Sequence, residues 1–464
     1  MLPRYVTDLA YLLAAAGFVY GLQSQAHPRG AQRGSLLGAI GMLLAVVVTL
    51  LDKRIVDYTT IAAGLALGGA IGVGVALRTP VTALPQLVAL RNAFGGAVAV
   101  LVAGAALLEL VHRQHAATSP QFIVASVAAD LIGGATCGAG LVAFAKLQGM
   151  LSDAPIRIPG VRALQGLLLL ACVVLGALLV ARPEQAARFW LLLAASGLLG
   201  VLAGLPISGA DMPVVIALLT SLTGLAAAAN GFMLPNTLLL ISGALVGSSG
   251  IVLTRIMCRG MNRSIGDVLF HSGVMVAGGP SADEVYAGKV KSATAEEIAM
   301  VLDGARRVVI VPGYGMAVAQ AQHAVRDLAH ELERRGATVE YAIHPVAGRM
   351  PGQMNVLLAE ADVPYEKMKE LETINPTMDD VDVAIVIGAN DIVNPLARTD
   401  PQSPIAGMPI LDVDRARTVI VVKRSLSPGF AGIPNPLFAG ERTLMFFADG
   451  KQAILDLLAA IKEA

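Results

Sequence analysis

"VVIVPGYGMAVAQ" (308–320) is an apolar, β-branched run that breaks at Pro312-Gly313 and reads on as the start of a helix. A strand, then Gly313-Tyr314-Gly315, then a helix is the context in which a glycine-rich turn receives a dinucleotide. The first glycine permits a tight turn, and the second lets the backbone approach a pyrophosphate. A helix N-terminus there offers free N–H groups and partial positive charge. The third fingerprint position holds Val318 instead of Gly. Taken alone, the turn is compatible with a dinucleotide site or with an ordinary strand–turn–helix.

Its surroundings favour the first reading. "RRVVIVPG", "ATVEYAIHPV", "VDVAIVIGAND", "TVIVVKRS" and "RTLMFFAD" read as strands. "GMAVAQAQHAVRDLAHELERRG", "MNVLLAEADVPYEKMKE" and "GKQAILDLLAAIKEA" read as helices between and after them. Buried apolar strands alternating with helices predict an α/β Rossmann-like, doubly wound parallel sheet over residues 290–464. The polar stretch 261–289 reads as a linker. Three further loops, 344–355, 388–395 and 423–436, follow strand ends, where open α/β sheets bind ligands. Lys423-Arg424-Ser425 is a cluster of donors suited to an extra phosphate dianion. No acidic residue stands at the tip of the second strand to read a ribose, because Glu340 lies inside it. Both features favour NADP(H) over NAD(H).

Residues 1–260 belong to a different solvent. The chain has 464 residues, 55% hydrophobic and 15% charged, where soluble domains carry roughly 25% charged. A helix crossing the ~30 Å apolar core needs about 20 residues. Nine stretches qualify: 5–22, 35–51, 56–77, 88–111, 121–145, 163–181, 188–204, 212–231 and 235–257. The expected fold is thus a membrane all-α bundle of about nine transmembrane helices followed by the α/β domain. Arg29, Arg33, Arg78, Lys146, Arg157, Arg162, Arg255, Arg259 and Arg263 lie on the side of the C-terminal domain. Arg4, Lys53, Arg54, Arg113, Arg182 and Arg188 lie on the other. That bias predicts a cytoplasmic C-terminal domain. Gly64, Gly68 and Gly72, and again Gly243 and Gly247, recur every four residues and predict close helix packing.

Polar side chains in such a bundle are costly and therefore informative. Asp211 reads as an N-cap of the eighth helix, as a carboxylate at the mouth of a proton path, or as both. Thr220, Thr223, Ala227 and Asn230 share one helical face, suited to interhelical hydrogen bonds or to holding water. Asn92, Glu109 and Asp130 are further candidates, with Asp130 nearer mid-segment. His112 and His115 read as solvated loop histidines. Cys137, Cys172 and Cys258 match no metal-ligand spacing, and no metal site is expected. No cleavable signal is evident, and the zero formal net charge gives no sign of a nucleic-acid partner.

"GADMPVV", "GALVGSSG", "IMCRGMNRS", "PGYGMAVAQAQ", "IHPVAGRMPGQMNVLLAEADVPY", "VIGANDIVNP", "SPIAGMP" and "KRS…GFAG…NPLF" together resemble the beta subunit of the proton-translocating nicotinamide nucleotide transhydrogenases. The resemblance runs from the eighth helix to near the C-terminus, with weaker motifs such as "LPQLVAL" before it. It implies NADP(H) on this chain, NAD(H) on a partner alpha subunit, and direct hydride transfer coupled to inward proton movement. A dimer of alpha–beta units in a bacterial inner membrane is implied too. The turn Gly313, Tyr314, Gly315, Met316, Ala317 and Val318 would line the cofactor. So would His344, Val346, Ala347, Gly348, Arg349, Met350, Pro351 and Gly352, and the loop Gly388, Ala389, Asn390 and Asp391. The cofactor would lie reversed, placing Lys423, Arg424 and Ser425, and not Arg349, at the 2′-phosphate. Residues 427–436, with Gly429, Phe430 and Ala431, would form a lid. Asp391 would stand nearest the reacting ring, and Asp449 and Lys451 at the far end.

Three positions depart from the family pattern. Asn92 stands where a proton-path histidine is common, Thr220 replaces an amide, and Phe430 replaces a tyrosine of the lid. Asp211, Thr220, Asn92, Asn230 and Arg263 remain the expected proton-path set, with Asp391 and the lid reporting cofactor state towards Asp211 and Arg263. The competing expectation is a transporter or channel that senses NADP(H) without hydride transfer. A membrane-anchored reductase is disfavoured, since only one fingerprint is present and no Tyr–Lys or His–carboxylate pair is placed for substrate protonation.

Overall fold

The computed structural model describes residues 4–25, 31–51, 58–112, 119–152, 155–156, 158–182, 185–270, 282–286, 288–350 and 352–463. Pro351, His115, Arg29, Lys53, Arg54, Arg113, Arg157 and the 271–281 part of the linker lie outside the described residues. The chain forms two compact units, Met1–Pro206 with Ile216–Val252, and Ile207–Val215 with Leu253–Ala464.

Among the described residues nine long helices lead: α1 (Arg4–Gln25), α2 (Ala31–Leu50), α3 (Tyr58–Arg78), α4 (Leu84–His112), α5 (Pro120–Leu147), α6 (Val161–Ala181), α7 (Ala186–Gly204), α8 (Met212–Met233) and α9 (Thr237–Gly260). Among the described residues, the seven from α3 to α9 are long and apolar enough to cross a membrane. In α1 and α2 the apolar stretches shorten to Leu9–Gly21 and Leu36–Val48. This is a membrane protein. α8 is the most buried of these helices and α5 the next, and α5 packs against α4, α6 and α7. It starts where the Ser119 side chain accepts the Phe122 N–H, with Pro120 in the first turn.

Small residues let α5 meet its neighbours backbone to backbone. A Cβ on Gly133 would lie 2.7 Å from the Gly96 carbonyl oxygen, and one on Gly140 2.9 Å from the Ala93 nitrogen. Gly243 and Gly247 likewise abut Gly224 and Leu225 of α8, as their spacing predicts. The other glycine series behaves differently. A Cβ on Gly64, Gly68 or Gly72 would meet nothing within 4 Å, and α3 has no buried residue. Spacing alone marks a face that tolerates close approach, not one that is used within this chain.

The second unit continues through α10 (Ile265–Phe270), α11 (Ala282–Tyr286) and α12 (Ala295–Asp303), the last started by a Thr294–Glu297 capping box. Then follow β1 (Arg307–Pro312), α13 (Tyr314–Val318), α14 (Gln322–Arg334), β2 (Thr338–Ile343), α15 (Gln353–Glu360), β3 (Met368–Glu370), α16 (Leu371–Ile374), β4 (Val383–Ile387), α17 (Leu396–Thr399), β5 (Thr418–Lys423), β6 (Thr443–Phe447) and α18 (Gly450–Glu463). The six strands are all parallel, in the order β3-β2-β1-β4-β5-β6. β1 and β4 are almost wholly buried, which is why they are continuous Val/Ile runs without alternation.

Two local expectations need correction. The helix expected to run on from Gly315 is two helices, broken at Gln320, whose φ is +50°. The stretch 354–370, read as one helix, ends at Glu360, and its last residues form edge strand β3. Only three residues of β3 pair with β2, too few for an apolar pattern to show.

Candidate functional site

The strand order reverses between β1 and β4, and their C-terminal ends open the crevice in which such sheets take ligands. Three glycines make that junction. The Gly313 N–H donates to Ile387 O, and the Gly315 N–H to Gly388 O, both at 2.9 Å. Gly388 sits at φ +64°, and a Cβ on Gly315 would lie 2.6 Å from its Cα. Backbone therefore occupies the space that side chains would fill. The expected free N–H groups of the helix start are largely spent here, since the Met316 N–H also bonds to Gly313 O. The turn contributes close approach more than unpaired donors.

Around this junction lies a cavity of about 440 Å³. Gly313, Tyr314 and Gly315 line it, with Val346, Ala347, Gly348 and Arg349 from the loop after β2. Gly388, Ala389, Asn390 and Asp391 come from the loop after β4, and Lys423, Arg424 and Ser425 from the end of β5. Gly429 and Phe430 close one side. Ser427 and Pro428 of the expected lid line it as well, and so do Ile392, Val422, Ala448 and Gly450, which had not been singled out by residue type.

The remaining expected residues stand behind this wall. Met316 and Ala317 are core residues of α13, and Val318 is exposed on it. Met350 is buried, and Gly352 starts α15 at φ +69°. Asp449 accepts the Lys451 N–H at 3.1 Å at the head of α18, and its carboxylate is 3.6 Å from Arg424 Nε.

His344 is buried between two backbone partners. Its Nδ1 accepts the Val346 N–H at 3.2 Å, so Nε2 carries the proton that reaches Pro409 O at 2.7 Å. Burial pulls its pKa down to about 4 against that carbonyl. The imidazole is thus neutral at physiological pH and braces the loop. Glu340, the misplaced ribose reader, bonds to Arg307 at 2.7 Å.

The loop expected to form a lid is tied to Asp391. Asp391 Oδ2 accepts the Ala431 N–H at 3.0 Å, the Phe430 N–H adds to it, and Oδ1 is enclosed without a hydrogen bond. A Cβ on Gly429 would lie 2.6 Å from either carboxylate oxygen, so a larger residue there would have to displace the Asp391 side chain. Burial raises the Asp391 pKa, opposed by the two N–H groups and by Lys423. Burial lowers that of Lys423, opposed by Asp391. The Lys423 ammonium donates to Ser427 O and lies 5.3 Å over the Phe438 ring. Arg349 stacks 4.7 Å from the Tyr314 ring centroid and 5.9 Å from that of Phe430. Phe430 keeps this packing without a hydroxyl.

The base of the lid is an asparagine cluster that residue types alone did not reveal. Asn435 donates to Asn390 O at 3.0 Å and its N–H reaches Tyr286 OH at 2.8 Å, while Asn394 donates to Pro434 O at 3.1 Å. The repeated Asn-Pro at 394–395 and 435–436 was the available signal.

Of the expected proton-path residues, Asp211 and Arg263 form an ion pair at 2.7 Å, with Ser208 donating to the same carboxylate at 3.1 Å. Asn92 donates to Thr220 Oγ1 at 2.9 Å, and Asn230 to Ala99 O at 3.1 Å. Thr223 is 3.5 Å from Asn92 O. The polar face of α8 is therefore bonded to α4, the interhelical alternative. Among the described residues no His/Cys/Asp/Glu group could hold a metal.

A membrane-helix bundle in one chain with a dinucleotide-type parallel-sheet domain, its cavity walled by glycines and cations, defines a class of membrane proteins with a nucleotide-type site. The family model for the NAD(P) transhydrogenase beta subunit matches residues 7–460. The NAD(P) transhydrogenase subunit beta of Rhodospirillum rubrum is 46% identical over 466 residues, covering 98% of this chain and 99% of that protein. The same name and figures recur for a designated strain of that species. This chain belongs to the NAD(P) transhydrogenase beta subunit family. It is the subunit of an enzyme, membership implies nicotinamide-nucleotide binding and an alpha-subunit partner, and the nucleotide-sensing transporter is not favoured.

Proposed function

We propose that this chain binds NADP(H) in the cavity at the β1–β4 junction and exchanges hydride with NAD(H) held by the alpha subunit, in step with proton movement across a bacterial inner membrane. The observation that carries this reading is the donor cluster Lys423-Arg424-Ser425, two of its members cationic, which lines the same cavity as the glycine junction. Those donors suit a 2′-phosphate, and the glycine cradle with the enclosed Asp391 oxygen is suited to a dinucleotide. The nicotinamide supplies the hydride chemistry when bound. The chain's own residues set position: glycines admit the pyrophosphate, Lys423 and Arg424 select the phosphate end, and the lid excludes water. The C-terminal domain faces the cytoplasm, and two alpha–beta units form the working complex.

In inverted vesicles carrying both subunits, NADPH should reduce an NAD⁺ analogue while a pH-sensitive dye records proton movement that a protonophore abolishes. Hydride transfer without proton movement would leave an uncoupled enzyme and overturn the coupling.

Coupling needs an element whose state both sites bias. The turn after α9 provides one. Arg263 pairs with Asp211, Asn262 donates to Ala406 O at 2.8 Å, and a Cβ on Gly260 would lie 3.2 Å from Pro345 and Val346 of the cofactor loop. Breaking a largely buried ion pair costs about 3–5 kcal/mol, part of which this turn would absorb. Asp211→Asn is therefore expected to weaken NADPH binding about tenfold, roughly 1.4 kcal/mol, although it touches no nucleotide. Equilibrium titration of the purified full chain measures this, and unchanged affinity with intact pumping would sink the idea.

A further inference from the structure

The buried polar side chains of the helical bundle are mostly accounted for by helix-to-helix or helix-to-backbone bonds. Asn92 bonds to Thr220, Ser221 to Gly247 O at 2.7 Å, and Lys146 to Leu205 O at 2.7 Å. Asp130 in α5 is the exception that can ionise. It is wholly buried within this chain's own helices, and neither carboxylate oxygen has a hydrogen-bond partner. A carboxylate without donor or counter-ion in a bilayer is expensive and marks function by default.

A second, independent feature lies at the start of the same helix. A cavity of about 490 Å³ lies between the start of α5 and the α8–α9 turn, lined by Ser119, Gln121, Asn236 and Thr237 above Phe122 and Met233. It stands at the Thr237 end of α9, a full 24-residue helix from Gly260. Ser126 lies one turn behind this lining and touches two of its residues, donating to Phe122 O at 2.9 Å with its hydroxyl 3.1 Å from Met233 Sδ. Asp130 follows Ser126 by four residues, so the two share one face of α5. Along that face the order is cavity wall at Phe122, hydroxyl at Ser126 and enclosed carboxyl at Asp130.

We propose that Asp130 is the proton-carrying group of the membrane bundle, loaded from this cavity through Ser126. The inference rests on the proton coupling proposed above. It names a titrating residue where Asn92, an amide bonded to Thr220, cannot serve. A proton leaves hydronium in the cavity and bonds to a carboxylate oxygen of Asp130. In the alternate state that O–H bond breaks, and the proton passes to water admitted from the opposite face; no electrons move. The elements around Asp130 leave it little electrostatic company. α4 apposes Ala99, Val100 and Ala103, α7 apposes Ser196, and α8 brings Asn230 and Met233 to the same cluster. Among the described residues, Cys172 of α6 is the titratable group that interacts with it.

The test uses inverted vesicles containing both subunits. With Asp130→Asn, dye-recorded proton movement per NADPH oxidised is expected to fall more than about tenfold, and Asp130→Glu should restore most of it. Ser126→Ala should slow pumping several-fold. Infrared difference spectra on NADPH addition should contain a protonated-carboxyl band that Asp130→Asn removes and Ser126→Ala shifts. Pumping at the unaltered rate in Asp130→Asn would overturn the proposal. If neither Asp130 variant assembles, a carboxyl band unmoved by Ser126→Ala would overturn it equally, and a shifted band would support it. A wild-type enzyme that transfers hydride without any proton movement would instead refute the underlying coupling.

Discussion

Replacing Lys423 and Arg424 together by alanine is expected to weaken NADPH binding on the order of a hundredfold, about 3 kcal/mol, while leaving NADH binding within about twofold. Each cation can give a charge-assisted hydrogen bond to a phosphate oxygen, worth about 1.5–3 kcal/mol when partly desolvated. The sum is placed at the low end because the Arg424 side chain is 65% exposed and shared with Asp449. Lys423 is the better-placed half, held by Ser427 O and the Phe438 ring. Its loss also removes a charge that favours ionised Asp391. Single substitutions should therefore be unequal, with Lys423→Ala the larger. Fluorescence titration of the full chain with NADPH and NADH side by side gives both numbers. An equal loss for the two nucleotides would show that these side chains hold the pyrophosphate or the fold, and not the 2′-phosphate.

That prediction was reachable before any coordinates because β1, β4 and β5 are fully enclosed strands. A strand covered on both faces must be apolar throughout, so "VVIVP", "VAIVI" and "TVIVV" announce themselves, and the loops after them inherit the ligand-binding position. Features set by particular partners were not legible. The Asn435–Asn390 bond joins residues 45 apart, and no local pattern encodes it. β3 owes its existence to three residues pairing with β2, and the break at Gln320 follows from one positive φ. Glycine spacing in α3 matched that of α9, yet only the latter meets a neighbour in this chain. The cavity at the start of α5 has walls from α5, the end of α8, the α8–α9 turn and α9, so only three-dimensional placement shows it.

Nucleotide release is expected to quicken as pH rises, and Asp391→Asn is expected to remove that dependence. Asp391 is the latch of the lid, and burial there raises its pKa above the ordinary carboxylate value. With the lid open the carboxyl meets water and returns towards that ordinary value. Closure therefore takes up a proton at any pH between the two values. The closed state is most favoured below this window and loses ground as pH rises through the raised value, by at most about tenfold per pH unit for a single group. The ionised carboxylate still accepts the Ala431 N–H, so the lid is loosened rather than abolished. Asparagine is close to an isostere of the protonated acid and cannot ionise. Asp391→Asn should thus hold the lid closed at every pH, with release slow and flat across the range. Turnover should fall by more than about tenfold, since opening then limits the cycle. Stopped-flow displacement of NADPH, followed by its fluorescence from acid to alkaline buffer, measures the rate directly. A variant that keeps the unaltered pH profile would assign the dependence to another group, with Lys423, the cation nearest in this electrostatic pair, the first to examine.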